Sequence, residues 1–172
     1  ASRRERSPFP VTPVFLVKSG KVGQYSLTIM SSKILEGKVG VVVGVANKRS
    51  IAFAIAKAWH EAGAKLIFNY QGERLKDGVI KLIRENFGED APVYDLDVSS
   101  DESINAFFEN VRKHTDKVDC MLHSVAFAPK EALGGGSFLE TGRDAFKISL
   151  DISAYSLVAL SRAVEPSFPA RS

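Results

Sequence analysis

Nine consecutive residues, Gly44-Val45-Ala46-Asn47-Lys48-Arg49-Ser50-Ile51-Ala52, combine the types that a phosphate-binding turn needs. Gly44 can turn the backbone sharply out of a preceding strand. Ser50 can cap the helix that starts at Ile51, and Ala52 is small enough for that helix to lie close on a sheet. Such a junction leaves helix-terminal N–H groups facing a pyrophosphate, with the positive end of the helix dipole behind them. The spacing is not GxGxxG. Taken alone, the loop reads equally as an ordinary strand-to-helix turn with Ser50 as its N-cap.

Other polar residues stand where apolar runs end. Tyr70-Gln71 closes one run. In dinucleotide folds the residue here meets the adenosine ribose, an acid accepting from the 2′-hydroxyl and an Arg accommodating a 2′-phosphate. Gln71 is a neutral hydrogen-bonding partner with Arg74 as the nearby cation; the alternative is an exposed loop glutamine. Asp97-Val98 closes another run, and Asp97 either meets a ligand or caps the turn before the next helix. Asp95, two residues earlier, reads as structural. His123-Ser124-Val125-Ala126-Phe127-Ala128-Pro129 closes a third, at the sheet end where ligands bind in open α/β folds. Ala126 would let a ligand approach the backbone, while His123 reads as a packing or hydrogen-bonding residue, not a base. His60 and His114 have no second ligand at metal spacing, so no metal site is expected. Leu133-Gly134-Gly135-Gly136-Ser137 reads as a flexible connector.

The elements that must position these residues follow from periodicity. Val39–Val45 is a continuous β-branched apolar run, as in a strand buried on both faces of a parallel sheet. Ser50–Glu61 carries Ile51, Ala54, Ile55, Ala58 and Trp59 at helical spacing, with Gly63 at the C-cap position. Strands follow at Ala64–Tyr70, Pro92–Leu96 and Val118–Val125. Helices follow at Arg74–Asn86, Ser99–Lys113 and Arg143–Val164. Strand–helix units at this pitch specify a Rossmann-like, doubly wound α/β sheet with helices on both faces and right-handed crossovers. The expected strand order is 3-2-1-4. No fifth strand is legible in Pro166–Ser172, so the sheet reads as truncated after its fourth strand and the following helix.

The 172 residues suffice for one domain, and the hydrophobic share of 45% with 25% charged residues is that of a globular protein. The net charge of +3 is unevenly placed. Residues 1–29 hold five basic groups (Arg3, Arg4, Arg6, Lys18, Lys21) against Glu5, and the remainder carries 18 basic and 19 acidic groups. A near-neutral body argues against a nucleic-acid-binding face. Cys120, the single cysteine, excludes an internal disulfide and, in its apolar run, reads as a buried small hydrophobe. No apolar stretch reaches the roughly 18–20 residues of a membrane span. Residues 1–29 read as a disordered extension, an Arg-rich transit-like segment or a basic arm, the folded part as 30–165, and 166–172 as a tail of non-native appearance.

The loop Gly44–Ala52 resembles the G-x5-S-[IL]-A variant that marks bacterial-type enoyl-[acyl-carrier-protein] reductases, a divergent branch of the short-chain dehydrogenase/reductases. Four further stretches agree in order and spacing: His60-Glu61-Ala62-Gly63-Ala64, Tyr70-Gln71-Gly72-Glu73-Arg74, His123–Pro129, and Asp151-Ile152-Ser153-Ala154-Tyr155-Ser156. The resemblance runs from residue 34 to about 165. A ketoacyl reductase of the superfamily would instead show TGxxxGxG and an NAG-type fourth strand.

The resemblance implies NADH-dependent reduction of the trans-2 double bond of an enoyl group carried on acyl carrier protein, in fatty acid synthesis. It implies a cofactor site of Gly44, Ser50, Ile51, Gln71, Asp97, Val98 and Val125, with Asp97 accepting from the adenine amine. Ala128 would face the acyl substrate. Gln71 goes with NADH in preference to NADPH. A homotetramer is implied for the full-length protein, in the cytoplasm, or in an organelle stroma if residues 1–29 are a transit peptide. The family's catalytic Tyr-x6-Lys is absent: Tyr25, Tyr70, Tyr94 and Tyr155 lack a Lys seven residues on. Tyr155 has Arg162 there, but Asp151–Ser156 matches the helix after strand four, whereas the dyad follows strand five. No catalytic residue is therefore expected within this chain. Two alternatives stay open, a non-catalytic dinucleotide-binding fragment and a short-chain reductase of another acyl or carbonyl substrate.

Overall fold

Alternation of short apolar runs with amphipathic ones produces the fold in a computed structural model, which describes residues 33–133 and 138–169, together with 16–18 and 25–27. The chain divides into two units, Ala1–Ser32 and Lys33–Ser172. In the first, β1 (Leu16–Lys18) and β2 (Tyr25–Leu27) pair antiparallel, a pairing that the sequence pattern does not signal. The rest of the expected extension lies outside the described residues, and so do positions 134–137 of the connector.

In the second unit, β3 (Val39–Val43), β4 (Lys65–Tyr70), β5 (Val93–Asp95) and β6 (Cys120–His123) form one parallel sheet in the order β5-β4-β3-β6. Numbered within the sheet, that is the expected 3-2-1-4. Helices α1 (Ile51–Glu61), α2 (Glu73–Phe87) and α3 (Asp101–Arg112) connect the strands. Beyond β6 come α4 (Lys130–Leu133), α5 (Arg143–Leu150), a π-turn at Asp151–Tyr155 and α6 (Ser156–Val164).

Strand periodicity divides the core into two layers. Val41, Val43 and Ile67 face Ile104, Phe107, Phe108 and Val111 of α3 and Ala159, Leu160 and Val164 of α6. Val42, Leu66 and Phe68 face Ala52, Phe53 and Ala56 of α1 and Val79, Leu82 and Ile83 of α2. Both faces of the sheet are covered, which is why β3 reads as a run of valines interrupted only by Gly40.

Three features depart from the sequence pattern. The helix expected at Arg143–Val164 is broken by the π-turn. Ser149 Oγ donates to the Ala145 carbonyl at 2.6 Å and Ser156 Oγ to the Ile152 carbonyl at 2.6 Å, back-bonds that bend helices. Cys120 is half-buried, not buried, because β6 is an edge: among the described residues no strand pairs with its outer side. Burial still pushes its thiol up. The fold also continues past residue 165, where the sequence suggests a tail. A 3-10 turn at Glu165–Ser167 buries Ser167, whose carbonyl accepts from Val118 N–H at 2.8 Å.

Candidate functional site

The Gly44–Ser50 loop leaves the carboxyl end of β3 between its two neighbours. Gly44 has φ +114°, and a Cβ there would lie 2.1 Å from the Ser124 carbonyl oxygen, so only glycine fits. Ser124 N–H donates to the Val43 carbonyl at 2.9 Å, and Gly44 N–H donates to Asn69 Oδ1 at 3.0 Å. The turn is thus held from β6 on one side and from β4 on the other.

Ser50 occupies the N-cap position with extended backbone, yet its side chain makes no cap bond. Its hydroxyl faces backward and accepts from Ala46 N–H at 3.1 Å and Asn47 N–H at 3.0 Å, while Asn47 Oδ1 accepts from Arg49 N–H at 2.8 Å. The expected helix cap is therefore a loop organiser. The first turn of α1 keeps the amides of Ile51 and Ala52 without a protein acceptor among the described residues. Unpaired amides on the positive end of an 11-residue helix are the chemistry that binds a phosphate. The Ile51 side chain is 73% exposed, so its part in such a site is through the backbone.

At the ends of β4 and β5, side chains again hold backbone. Asp95, the last residue of β5, accepts from Gly72 N–H at 2.9 Å, and Gly72 has φ +67°. This sets the loop that carries Gln71, which is exposed at the cleft. Asp97 Oδ1 accepts from Ser99 Oγ at 2.7 Å and Ser99 N–H at 2.9 Å. Those bonds from Ser99, with a smaller contribution from the nearby Gln71 amide, hold the Asp97 carboxyl below its ordinary range against the opposing effect of burial. Asp97 thus fastens the turn, with Gln71 nearby. The helix cap belongs to Ser100, whose Oγ accepts from Ser103 N–H at 3.1 Å.

Past β6, the segment 124–129 is clamped by the π-turn. Ser153 Oγ accepts from Phe127 N–H at 3.0 Å and donates to the Phe127 carbonyl at 3.1 Å, which fixes the backbone beside half-buried Ala128. His123 Nε2 lies 2.7 Å from Ser156 Oγ, whose proton is directed to the Ile152 carbonyl. The ring therefore donates through Nε2–H to that oxygen, and burial pushes its pKa down. A neutral imidazole committed to a helix hydroxyl is a packing group.

Gly44, Gln71, Val98 and Val125 line one cleft of about 170 Å³, together with Ala46 and Asn69. Ser50 bonds to Ala46 of that wall, whereas Ile51, Asp97 and Ala128 do not line it. A larger open concavity of about 700 Å³ lies elsewhere, on α5 and the π-turn, lined by Phe146, Leu150 and Tyr155 among others. The smaller cleft is the candidate because it sits at the carboxyl ends of parallel strands, where the open amides and the glycine turn converge. Tyr155 and Arg162 share no hydrogen bond or ring contact, and neither lines the cleft. His60 packs on the edge of the Phe87 ring, and His114 Nε2 lies 2.5 Å from Tyr94 Oη. Among the described residues no His, Cys, Asp and Glu cluster could hold a metal. Asn69 and Ser153 escape the motif reading, although Asn69 leaves a signal, a residue disfavoured in strands inside an apolar run.

The comparisons with known proteins agree in direction. Residues 44–172 match the family model described as Enoyl-(Acyl carrier protein) reductase. The chain is 44% identical over 130 residues to the enoyl-[acyl-carrier-protein] reductase [NADH] of Bacillus cereus, covering 76% of this chain and 50% of that protein. It is 42% identical to the enoyl-[acyl-carrier-protein] reductase [NADPH] of Staphylococcus aureus, covering 78% and 52%. The crystal structure of enoyl-[acyl-carrier-protein] reductase (NADH) from Aquifex aeolicus superposes with a TM-score of 0.74 at 43% identity, over 80% of this chain and 59% of that one. The chain spans about half the length of the curated relatives it matches.

Proposed function

Since the chain belongs to the enoyl-(acyl carrier protein) reductase family, we propose that it is the dinucleotide-binding part of an enzyme reducing enoyl groups on acyl carrier protein. NADH is the preferred cofactor over NADPH, and fatty acid synthesis the setting. One observation carries the reading: a glycine turn pinned from both sides leads from a cleft lined by Gly44, Gln71, Val98 and Val125, at the carboxyl ends of the strands, into a helix whose first amides are open. At about 170 Å³ the cleft is below the roughly 300–1,000 Å³ of a complete small-molecule pocket. That size suits a site completed by further chain.

The residues present fit the cofactor. The Ile51 and Ala52 amides would hold the pyrophosphate, with Ser50 keeping the loop in shape. Gln71 would accept or donate to the ribose, and Asp97 with Val98 would receive the adenine. Val125 would pack against the cofactor, and Ala128 would border the acyl chain. Bound NADH supplies the hydride. Gln71 offers no cation to a 2′-phosphate, which favours NADH, while Arg74 is exposed with no ion-pair partner among the described residues. No catalytic residue is assigned within the chain. The exposed Phe146, Leu150, Leu157 and Val158 of α5 and α6 support a subunit contact in a full-length homotetramer. No described helix is long and apolar enough to cross a membrane, and we place the protein in the cytoplasm, or in an organelle stroma if residues 1–29 are a transit peptide. The binding domain begins near residue 30 and runs past 165 to include the buried Ser167, and 1–29 is an extension that limited proteolysis would remove.

Titration followed by NADH fluorescence tests the cofactor assignment. Binding is expected, tighter than for NADPH, and equal or tighter NADPH binding overturns the preference. With crotonyl thioester as substrate, the chain should turn over about 10²–10³ or more slower than one extended through a Tyr-x6-Lys segment, the cost of a missing oxyanion donor. Comparable rates in the two would return attention to Tyr155 and Arg162.

A further inference from the structure

Asn69 is 6% exposed in a strand whose preceding residues Leu66, Ile67 and Phe68 are all buried and apolar. Its Oδ1 accepts from Gly44 N–H at 3.0 Å. An amide N–H pairs only with an acceptor, so this bond fixes the carboxamide orientation and turns the Nδ2 donor away from Gly44. Among the described residues Nδ2 donates to no protein acceptor. No side-chain nitrogen or oxygen among those residues is both sealed from solvent and unpartnered, so Nδ2 reaches the surface. The open space beside Asn69 is the cleft that it lines with Gln71, Val98 and Val125. A donor this deep in the fold, unused by the protein, is matched to an acceptor arriving from outside.

We propose that Asn69 is a residue of the dinucleotide site, with Oδ1 setting the Gly44 turn and Nδ2 donating to an oxygen of the bound dinucleotide. The inference rests on the dinucleotide-binding reading above and adds a contact residue to it. The oxygen belongs to the half of the ligand near Gln71, two residues on and just past the end of β4, the position that faces the adenosine ribose in this type of sheet.

Two variants separate the roles of the two carboxamide atoms. Asn69→Asp keeps an acceptor for Gly44 N–H and replaces the donor with an anion. Asn69→Leu removes both. Amide hydrogen exchange at Gly44 and the NADH dissociation constant are measured on the parent chain and both variants, well above the carboxylate titration range. Asn69→Asp should keep Gly44 exchange slow and weaken NADH binding by about tenfold or more, the scale of one hydrogen bond. Asn69→Leu should speed Gly44 exchange and weaken binding at least as much. If Asn69→Leu does not fold, the near-isosteric Asp variant decides the donor role alone. NADH binding by Asn69→Asp equal to the parent's overturns the proposal and leaves the dinucleotide reading standing. A parent chain that binds no NADH overturns the dinucleotide reading itself, and the Asn69 contact with it.

Discussion

Strand β3 is held at both ends by a side chain, Asp119 just before β6 and Asn69 within β4, and the two arrangements do opposite things. At the amino end, Asp119 Oδ2 accepts from Val39 N–H at 3.0 Å, and Asp119 Oδ1 pairs with Lys38 at 3.1 Å and Lys117 at 3.0 Å. Every group there closes on another. The bond from Val39, with help from both lysines, pulls the Asp119 carboxyl down to about 2. At the carboxyl end, Asn69 accepts from Gly44 N–H, but its own donor and the α1 amides are left open. One end of the sheet is finished as structure. The other is shaped and then left incomplete, which is what a ligand site needs.

Substitutions at either end test that contrast. Gly44→Ala should have the largest effect, because its Cβ would collide with the Ser124 carbonyl at a φ that side chains avoid. About 3 kcal/mol or more of stability should go, read by urea denaturation, and NADH binding with it. Wild-type stability in this variant would mean that the turn is not pinned between β4 and β6. Asp119→Asn comes next, at about 1–2 kcal/mol near neutral pH after allowing for solvent screening. Because the folded pKa lies below the ordinary 3.8, Asp119 stabilises above that range and loses its contribution as acid protonates it. The gap between parent and Asp119→Asn should therefore close as pH falls from about 4 to about 2. NADH affinity should stay within about threefold of the parent's, as for distant independent sites. A larger change would show that the two ends are coupled.

Ser50→Ala should cost below about 1 kcal/mol of stability, since it removes partly exposed loop bonds. Its NADH dissociation constant should still rise by about tenfold, because the loop loses its internal support. Arg74→Gln should do least, weakening NADPH by a few-fold with NADH unchanged. Equal losses for both cofactors would place Arg74 against the shared diphosphate and not beside Gln71.

What could be read from the sequence follows the same division. Burial has a period, so a strand within Val39–Val45, the apolar faces of α2 and α3 and the strand order were legible before any coordinates. By contrast, α1 buries Ala52, Phe53 and Ala56 and leaves the expected Ile51, Ala54 and Ala58 exposed, because a helix rich in alanine has no sharp apolar face. Gly44 was legible because the turn at the strand end needs a backbone that only glycine adopts. Ser50 was placed correctly and misread in detail, since pattern does not say whether a hydroxyl turns forward to cap a helix or backward to brace a loop. Asn69 and Ser153 were missed because each acts on backbone distant in sequence, at residues 44 and 127, and no local spacing encodes such a partner.

The π-turn at Asp151–Tyr155 closes its ring over five residues where an α-turn closes over four. It therefore inserts one position into the helix, and one position is about 100° of rotation. Helix α6 is in consequence out of phase with α5: Ser156, Ala159, Leu160 and Val164 face the sheet, while no residue of α5 is buried. Deleting a single residue inside the turn would preserve the helix, its length to within about 1.5 Å and its composition. It would nevertheless rotate α6 against α5, so that the two segments could not both keep their present faces. The Ser153 clamp on Phe127 and the Ser156 contact with His123 depend on that angular offset, and the turn is the gear that sets it.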